Sequence, residues 1–296
     1  NPGKRHIVTS AVEHSSVLNY CMALEKEGYR VTYLPVDRDG LLKPADLENA
    51  IGKETSIVSL MWANNETGVL FPVKEIAEIC RSRGVLYHCD AVQAAGKIEM
   101  DVRKLPVDYL SLTGHKFHAP KGIGALYVRR KTPFSPLIYG GHQERNLRGG
   151  TESVPLIVGI GKAAELARRP SPVYEKKVRS LRDKLEEGIL SSIPNTELNG
   201  HKTHRLANTT NLTFHGIESE ALLILLDKEG VCASSGSACL ADSDEPSYVI
   251  KAMKHEGNQS RSMIRFSLGL ETTGAEVENV CDFARRLADT LRAALG

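Results

Sequence analysis

The stretch SIVSLMW, residues 56–62, decides the fold class of this chain. It is a continuous apolar run, which is typical of a strand that is buried on both faces of a sheet. Similar short apolar runs alternate with helical patterns through the first half of the chain. This alternation predicts βαβ units around a mostly parallel sheet, and therefore an α/β fold.

Outward from this run, the patterns give an order of elements in the first half. Strands are predicted from apolar runs and helices from their periodicity and end signals. The predicted strands are His6–Ser10, Tyr29–Leu34, Ser56–Trp62, Val85–Cys89, Tyr109–Leu112 and Ala125–Val128, and the predicted helices are His14–Gly28, Lys43–Ile51 and Val73–Arg83.

A boundary is predicted in the second half, at Pro170 to Pro172. We predict a large domain over residues 1–164 and a smaller α+β domain over residues 165–296. The predicted elements beyond the boundary are a charged helix Val173–Leu190, strands near Asn208–Phe214 and Met263–Ser267, and a closing helix Val277–Leu295.

The charge balance argues against nucleic acid and anionic membranes as partners. Lys and Arg total 38 while Asp and Glu total 36, so the formal net charge is only +2. A face that binds nucleic acid directly needs concentrated basic residues, and the sequence has no basic run. No apolar stretch approaches the length of a membrane span either.

Cysteine usage and the N-terminus bear on the compartment. The six cysteines lie at irregular spacings without a C-x-x-C pair, which disfavours a zinc ribbon and indicates a reduced, cytoplasmic protein. The N-terminal NPGKRH is not followed by the apolar segment of a signal peptide. It also lacks an initiating Met, so we expect a fragment or a processed product.

The segment SLTGHK, residues 111–116, carries the first candidate catalytic residue. Lys116 follows a predicted buried strand in a glycine-containing turn, where its amine would project into a cavity instead of bulk water. Burial lowers the pKa of a lysine and supplies the neutral amine that imine formation requires. A lone turn lysine is usually a surface residue, so its neighbours decide the interpretation.

The segment HCDAVQ, residues 88–93, supplies such neighbours. Asp90 lies at the carboxyl end of a predicted strand, where open α/β sheets bind ligands, and it could pair with a protonated pyridine nitrogen or cap a helix. Gln93 could hydrogen-bond the phenolic oxygen of the same ring. A metal site of His88, Cys89 and Asp90 is rejected, because adjacent strand residues point to opposite faces.

Four further polar residues lie at the ends of predicted elements or within them. His14 opens the first helix, where it could stack on a flat cofactor or cap the helix. Asn64 and Asn65 follow the apolar run, and they could form a turn or direct Asn65 at the cofactor. Arg265 lies in a strand of inward-facing residues and suits the carboxylate of an amino-acid substrate.

Cys239 ends the segment ASSGSAC, residues 233–239. A small Ser/Gly loop with one cysteine suits a nucleophile that must move between two places. Free cysteine is usually buried, so its position in a polar loop counts against an incidental thiol.

Together these segments resemble the cysteine desulfurases of the nitrogen-fixation type, a branch of the class V aminotransferase-like enzymes with the type I fold of pyridoxal-phosphate-dependent transferases. The resemblance implies pyridoxal 5'-phosphate as cofactor, a mostly parallel large-domain sheet of the seven-stranded type that is incomplete here, and a smaller C-terminal domain with the cysteine loop. The matching segments are EHSSV (13–17), WANNETG (62–68), HCDAVQAAGK (88–97), SLTGHKFHAPKGIGALYVRR (111–130), GGHQERNLRGGTES (140–153), SSGSAC (234–239) and IRFSLG (264–269).

The resemblance also implies which residues contact the cofactor. Lys116 would hold it as a Schiff base and later act as acid and base, and Asp90 would pair with the pyridine nitrogen. The other implied contacts are Gln93 with the phenolic oxygen, His14 stacked on the ring, Asn65 with cofactor and substrate, Thr113 and His115 with the phosphate, and Thr151 with the phosphate of the partner subunit in a homodimer.

The implied reaction converts L-cysteine to L-alanine. Arg265 would bind the substrate carboxylate, His14 would assist proton transfer, and Cys239 would take the sulfur as a persulfide. The implied partner is a scaffold protein that accepts this sulfur for iron–sulfur cluster assembly.

One departure from the family pattern leaves alternatives open. A Gly-Thr-Glu phosphate cradle precedes, in this family, the segment where the chain begins, so we expect a fragment of a longer protein. The alternatives are a selenocysteine lyase or related class V enzyme, and a non-catalytic sulfur-relay partner that keeps the fold. A transaminase needs no loop cysteine, so Cys239 favours the desulfurase.

Overall fold

The first half of the chain folds around one sheet. The computed structural model describes residues 3–168, 171–236, 247–254 and 262–295, with the backbone alone at 171–174 and 294–295. Within these residues, six strands pair in the order β2-β1-β3-β4-β5-β6, all parallel except β6, which is antiparallel to β5. The strands are β1 (His6–Ser10), β2 (Arg30–Leu34), β3 (Thr55–Met61), β4 (Leu86–Asp90), β5 (Tyr109–Thr113) and β6 (Gly124–Val128).

This sheet confirms the predicted α/β class. Residues 58–61 of β3 are all buried, as the continuous apolar run predicts for a strand covered on both faces. Val58, Leu60 and Ile76 are fully buried in one core, and each such side chain contributes roughly 1.5–3 kcal/mol to the free energy of unfolding. The helices between the strands are α1 (Ser15–Lys26), α2 (Pro44–Ala50) and α3 (Val73–Ser82).

A second, antiparallel sheet lies in the C-terminal half. Its strands β7 (Thr196–Leu198), β8 (Thr209–Phe214) and β9 (Met263–Ser267) pair in that order, and every residue of β8 is buried. Phe214, Leu222 and Ile264 belong to the core of this unit. The helices of this half are α6 (Ser171–Ser192), α7 (Ser219–Lys228), α8 (Tyr248–Lys254) and α9 (Gly274–Leu295), preceded by the short α4 (Gln143–Asn146) and by α5 (Val154–Arg168).

The structure adds elements that the sequence analysis missed. β7 has only three residues, and α7 carries the apolar run ALLILL, which helix and strand patterns fit equally well. α8 belongs to the first core through Val249, Ile250 and Met253. The division at residues 164 and 165 falls inside α5 and stays a prediction. Among the described residues, every helix is too short or too polar to span a lipid bilayer.

Residues 68–70 connect the two sheets. The Leu70 N–H donates to the His204 carbonyl, and the Leu206 N–H donates to the Gly68 carbonyl. Gly68 has φ +76°, and a Cβ there would lie 3.1 Å from the Cβ of Thr209. Only glycine accepts both this backbone conformation and this close approach. The pairing therefore fixes the second sheet beside the loop that follows β3.

A buried ion pair anchors the same connection. The Arg205 Nη2 donates to both carboxylate oxygens of Glu186, at 2.8 and 2.6 Å, and the Thr210 hydroxyl donates to the same carboxylate at 2.6 Å. The side chains of Arg205 and Glu186 are 0% and 7% exposed. A charge at this depth is tolerated only with its partner in place.

We therefore expect Glu186→Ala to lower the free energy of unfolding by about 3–5 kcal/mol, because it leaves a buried guanidinium without its counter-ion. Urea denaturation measures this change. The control is Glu187→Ala, which removes the neighbouring exposed carboxylate and should change the stability by about 0.5 kcal/mol or less. Equal effects of the two substitutions would contradict the importance of the buried pair.

Candidate active site

One cavity of about 260 Å³ collects most of the predicted site residues. It opens where β3, β4 and β5 end, since Met61, Asp90 and Thr113 are the last residues of those strands and all line it. Open parallel sheets bind ligands at this edge. The predicted residues that line the cavity are His14, Asn65, Asp90, Gln93, Thr113, His115, Lys116 and Arg265.

Asp90 occupies the centre of this edge. It is paired with Met61 on one side and Ser111 on the other. Its Oδ1 accepts the N–H of Val92 at 2.9 Å, which turns the chain and brings Gln93 to the cavity wall. Among the described elements no helix begins directly after Asp90, so the helix cap that the sequence left as an alternative is not found. The carboxylate holds a turn, and the residue lines the cavity.

The two residues before Asp90, His88 and Cys89, do not line the cavity. The His88 ring bonds Ser59 at 2.8 Å and Ser111 at 2.8 Å, one on each neighbouring strand. Cys89 is fully buried in the first core. Within the described part of the chain, no cluster of three metal-ligating side chains occurs.

His14 both caps α1 and lines the cavity. It precedes the helix with extended backbone, and its Nδ1 accepts the N–H of Ser16 at 3.2 Å. A ring nitrogen that accepts carries no proton, so in the neutral ring the proton is on Nε2. The capping alternative and the cavity alternative are thus combined in one residue.

The two asparagines after β3 divide the roles that the sequence left open. Asn64 forms the turn, because its Oδ1 accepts the backbone N–H groups of Glu66 and Thr67, each at 2.9 Å. Asn65 lines the cavity, and its Oδ1 is buried without a hydrogen-bond partner among the described residues. A buried amide without a partner is costly, so this atom fits contact with a bound polar group.

Lys116 lies on a one-turn 3₁₀ helix, Gly114–Phe117, directly after β5. A Cβ at Gly114 would lie 2.8 Å from the Cβ of Ala119, so glycine allows the tight return of the chain. Lys116 lines the cavity, as predicted, but it is exposed, so the predicted burial of its amine is not found. His115 beside it has a pKa below its ordinary value, through partial burial and the charges of Lys116 and Lys121.

Arg265 reaches the cavity from the second sheet. It lies in β9, which pairs with β8 on one side. On the other side, Arg265 and Ser234 exchange two backbone hydrogen bonds. Its Nη1 donates to the Asn65 carbonyl at 2.9 Å. This bond ties the guanidinium to the loop that also carries the buried Asn65 amide.

One predicted residue, Thr151, is not brought to the cavity. Thr151 is exposed and does not line it. Cys239 lies outside the described residues, but both described ends of its segment lie at one buried carboxylate. The Glu66 Oε2 accepts from the Ser247 hydroxyl at 2.6 Å, and a Cβ at Gly236 would lie 3.4 Å from the same oxygen.

Sequence reasoning missed Lys97 and Glu13. Lys97 donates to the Gln93 side chain at 3.0 Å, and only its spacing of four residues from Gln93 could have indicated this. Glu13 is fully buried beside His14; its Oε1 accepts from the Ser10 hydroxyl at 2.8 Å and from the Met61 N–H at 2.9 Å. Burial raises the pKa of Glu13 from 4.5 to about 8.

The donor set of the cavity fits a flat, anionic cofactor. Lys116 and Arg265 bring positive charge, and Asp90 brings a carboxylate at the strand end. The buried Asn65 amide requires a polar partner. A lysine, a strand-end carboxylate and an aromatic ring at the edge of a parallel sheet together fit the class of enzymes that use pyridoxal 5'-phosphate.

Comparison with known proteins agrees with this class. A family model described as aminotransferase class-V matches residues 2–280. Cysteine desulfurase 2 of Trichormus variabilis is 51% identical over 295 residues, covering 99% of this chain and 73% of that protein. Cysteine desulfurase NifS of Azotobacter vinelandii is 47% identical over 279 residues, covering 94% and 69%. A solved structure described as a NifS-like protein matches with a TM-score of 0.89 at 36% identity. The match covers 99% of this chain and 76% of the chain in that structure.

This chain belongs to the class V aminotransferase family, and within that family to the cysteine desulfurases. The membership confirms the predicted family, the predicted fold class and the predicted cofactor. The roles of the individual site residues stay predictions.

Glu13 makes the stability of this site dependent on pH. Between pH 4.5 and about 8 the folded protein keeps a proton on Glu13 that the unfolded chain has lost. The free energy of unfolding therefore falls as the pH rises through this window, by at most about 1.4 kcal/mol per pH unit from this group. Glu13→Gln keeps an acceptor for Met61 and removes the titration, so we expect a flatter profile in urea denaturation between pH 5 and 8.

The control for this prediction is Glu27→Gln, which removes an exposed carboxylate at the end of α1. Its profile should match that of the unsubstituted protein. An unchanged slope in Glu13→Gln would show that Glu13 is ionised in the folded protein.

Proposed function

We propose that this chain removes sulfur from L-cysteine, leaves L-alanine, and carries the sulfur as a persulfide on Cys239. The observation that carries the proposal is the convergence of a turn lysine, a strand-end aspartate and a domain-bridging arginine on one cavity, in a chain from the cysteine desulfurases. The lysine and the aspartate suit the cofactor, and the arginine suits the substrate carboxylate.

The cavity residues divide by chemical type. Lys116 would hold the cofactor through its Nζ, and Asp90 would pair with the pyridine nitrogen. Pyridoxal 5'-phosphate, when bound, supplies an electron sink for the electrons released at the substrate Cα. The remaining contacts are Gln93 and Asn65 with polar ring substituents, His14 against the ring face, and Thr113 with His115 at the phosphate.

The side chains of Thr113 and His115 are within hydrogen-bond distance of each other. The Thr113 Oγ1 and the His115 Nδ1 lie 3.1 Å apart. Both line the cavity directly after β5. Their hydroxyl and ring N–H groups are donors of the kind that a phosphate accepts.

Arg265 is suited to bind the substrate. A guanidinium binds a carboxylate through two parallel N–H groups, and its orientation must be fixed beforehand to be selective. The bond from Nη1 to the Asn65 carbonyl, at 2.9 Å, supplies this fixation. Lys116 and His14 would move protons to and from the substrate, with His14 exchanging its proton at Nε2.

The chain enters the segment that carries Cys239 beside a cavity residue, because Ser234 exchanges backbone hydrogen bonds with Arg265. Cys239 follows Gly236 by three residues, and three residues span at most about 10–11 Å. Gly236 and Ser247 both lie at Glu66, the residue after Asn65. A thiolate at residue 239 could therefore approach a substrate held at Arg265.

The sulfur step balances without an external oxidant. The Cys239 thiolate attacks the substrate sulfur and forms an S–S bond. The Cβ–S bond of the substrate breaks, and its electron pair stays on the substrate carbon, which takes a proton and becomes the methyl group of L-alanine. A thiolate of this kind is the competent nucleophile, and a thiol is not.

The proposed partners follow from the same chemistry. A scaffold protein for iron–sulfur cluster assembly would take the persulfide sulfur, and a second copy of this chain would complete a homodimer. Thr151 is exposed beside exposed apolar side chains, with Leu137 88%, Tyr139 81% and Val154 63% exposed, which supports a subunit contact here. Scattered cysteines and balanced charge support a cytoplasmic location.

We expect Lys116→Ala to lose the visible absorption band of the protein-bound cofactor, because the amine that holds the cofactor is removed. Absorption spectra of the purified proteins after dialysis measure this loss. Lys121→Ala is the matched control, since it removes an exposed lysine close in the chain. A wild-type spectrum in Lys116→Ala would assign the bond to another lysine.

We expect Cys239→Ala to keep the cofactor band and to lose nearly all sulfide and alanine production from L-cysteine under reductant. The reason is that no thiolate is left to take the sulfur. Cys232→Ala, which removes an exposed cysteine from the same region, is the control and should keep the activity. Undiminished sulfide release by Cys239→Ala would reject the persulfide route and favour a selenocysteine lyase-like reaction.

A further inference from the structure

Lys97 does not line the cofactor cavity, but it holds a residue that does. Its Nζ donates to the Gln93 side-chain Oε1 at 3.0 Å and to the Gln93 carbonyl at 3.0 Å. Gln93 lines the cofactor cavity. One ammonium group therefore fixes both the backbone and the side chain of a cavity residue.

This contact determines which end of the Gln93 amide faces the cavity. A lysine amino group in its charged form has three donors and no acceptor, so it bonds the amide oxygen and not the amide nitrogen. The Gln93 Nε2, with its two N–H donors, is left for the cavity. A glutamine without this contact could rotate and offer either an acceptor or a donor.

The turn that carries both residues is packed against the turn that carries Lys116. Gly96 has φ +75°, and a Cβ there would lie 2.6 Å from the Cβ of Phe117. Residue 96 must be glycine for the two turns to approach this closely. Lys97 consequently has a fixed backbone from which to reach Gln93.

The surroundings of Lys97 bear on its charge. Lys97 also lines a larger cavity of about 1030 Å³, together with Lys162 of α5. Burial, followed by the charges of Lys116 and Arg265, lowers the pKa of Lys97 from 10.5 to about 8. In its charged form the amino group polarises the Gln93 amide through the amide oxygen and makes the amide N–H groups better donors.

We infer that Lys97 is a positioning residue for the cofactor: it locks the Gln93 amide with its N–H groups toward the cavity, so that the group facing Gln93 must be an acceptor. This inference rests on the proposed function, in which the acceptor is the anionic ring oxygen of the cofactor. Lys97 acts through Gln93 and needs no contact of its own with cofactor or substrate.

The test compares Lys97→Met, Lys97→Arg and Lys162→Met. Methionine keeps the length and removes the donor, whereas arginine keeps a charged donor. Lys162→Met is the matched control, because Lys162 lines the same larger cavity but pairs with Glu165 at 3.0 Å. For each protein, the cofactor dissociation constant and the pH midpoint of the visible cofactor band are measured, together with kcat and KM for L-cysteine.

We expect Lys97→Met to weaken cofactor binding about three- to tenfold, the equivalent of one hydrogen bond. The midpoint of the band should move up by about 0.5 to 1 pH unit, because the ring anion loses a donor. We expect Lys97→Met to lower kcat by a larger factor than it raises KM. Lys97→Arg should restore most of the wild-type values, and Lys162→Met should match them.

A double-mutant cycle separates positioning from general packing. In a Gln93→Leu background, Lys97→Met should have no further effect on the band midpoint, because the amide that it positions is gone. Additive effects would overturn the inference. So would a Lys97→Met protein with a wild-type midpoint, or a Lys97→Arg protein as impaired as Lys97→Met.

A cofactor-free measurement keeps this test apart from the proposed function. In the protein without cofactor, the NMR signals of the Gln93 side-chain amide should show one fixed environment, and Lys97→Met should convert them to an averaged one. Signals that do not change would overturn the role of Lys97. A wild-type protein that never binds the cofactor would overturn the proposed function. The NMR result would still decide whether Lys97 positions Gln93.

Discussion

Parallel pairing of β1, β3, β4 and β5 is the constraint on which the site depends. Parallel strands end at the same edge, so whatever follows each strand is brought to one place. His14 follows β1 and Asn65 follows β3, each by four residues; Gln93 follows β4 and Lys116 follows β5, each by three. A shift of one residue in any pairing would move a side chain out of this group.

The second sheet contributes Arg265 to the site, and the position of this sheet is also constrained. The backbone pairing of residues 68–70 with 204–206 fixes β8 and β9 relative to the loop after β3. Arg265 then donates to the Asn65 carbonyl, so the residue suited to substrate and a residue suited to cofactor share one hydrogen bond. Because that bond crosses between the sheets, the proposed recognition of the substrate by Arg265 would depend on how the two halves of the chain pack.

The sequence predicted the features that have strong local signals. β3 is a continuous apolar run and β9 is partly apolar, and both were predicted within one residue of their observed ends. A strand end marked Asp90 and a glycine-containing turn marked Lys116, whereas Thr113 and His115 were predicted from the family resemblance alone. Side-chain orientation carries no such signal: which of Asn64 and Asn65 forms the turn, the exposure of Lys116 and the Lys97–Gln93 contact all depend on neighbours distant in sequence or on the path of a turn.

His14 shows how a structural role restricts a chemical one. Its Nδ1 accepts the Ser16 N–H in the first turn of α1, and a proton on that nitrogen would abolish the cap. Loss of a cap costs about 1 kcal/mol of helix stability. The helix therefore favours the tautomer in which Nε2 carries the proton. Secondary structure and the choice of donor and acceptor on the ring are here coupled through a single nitrogen atom.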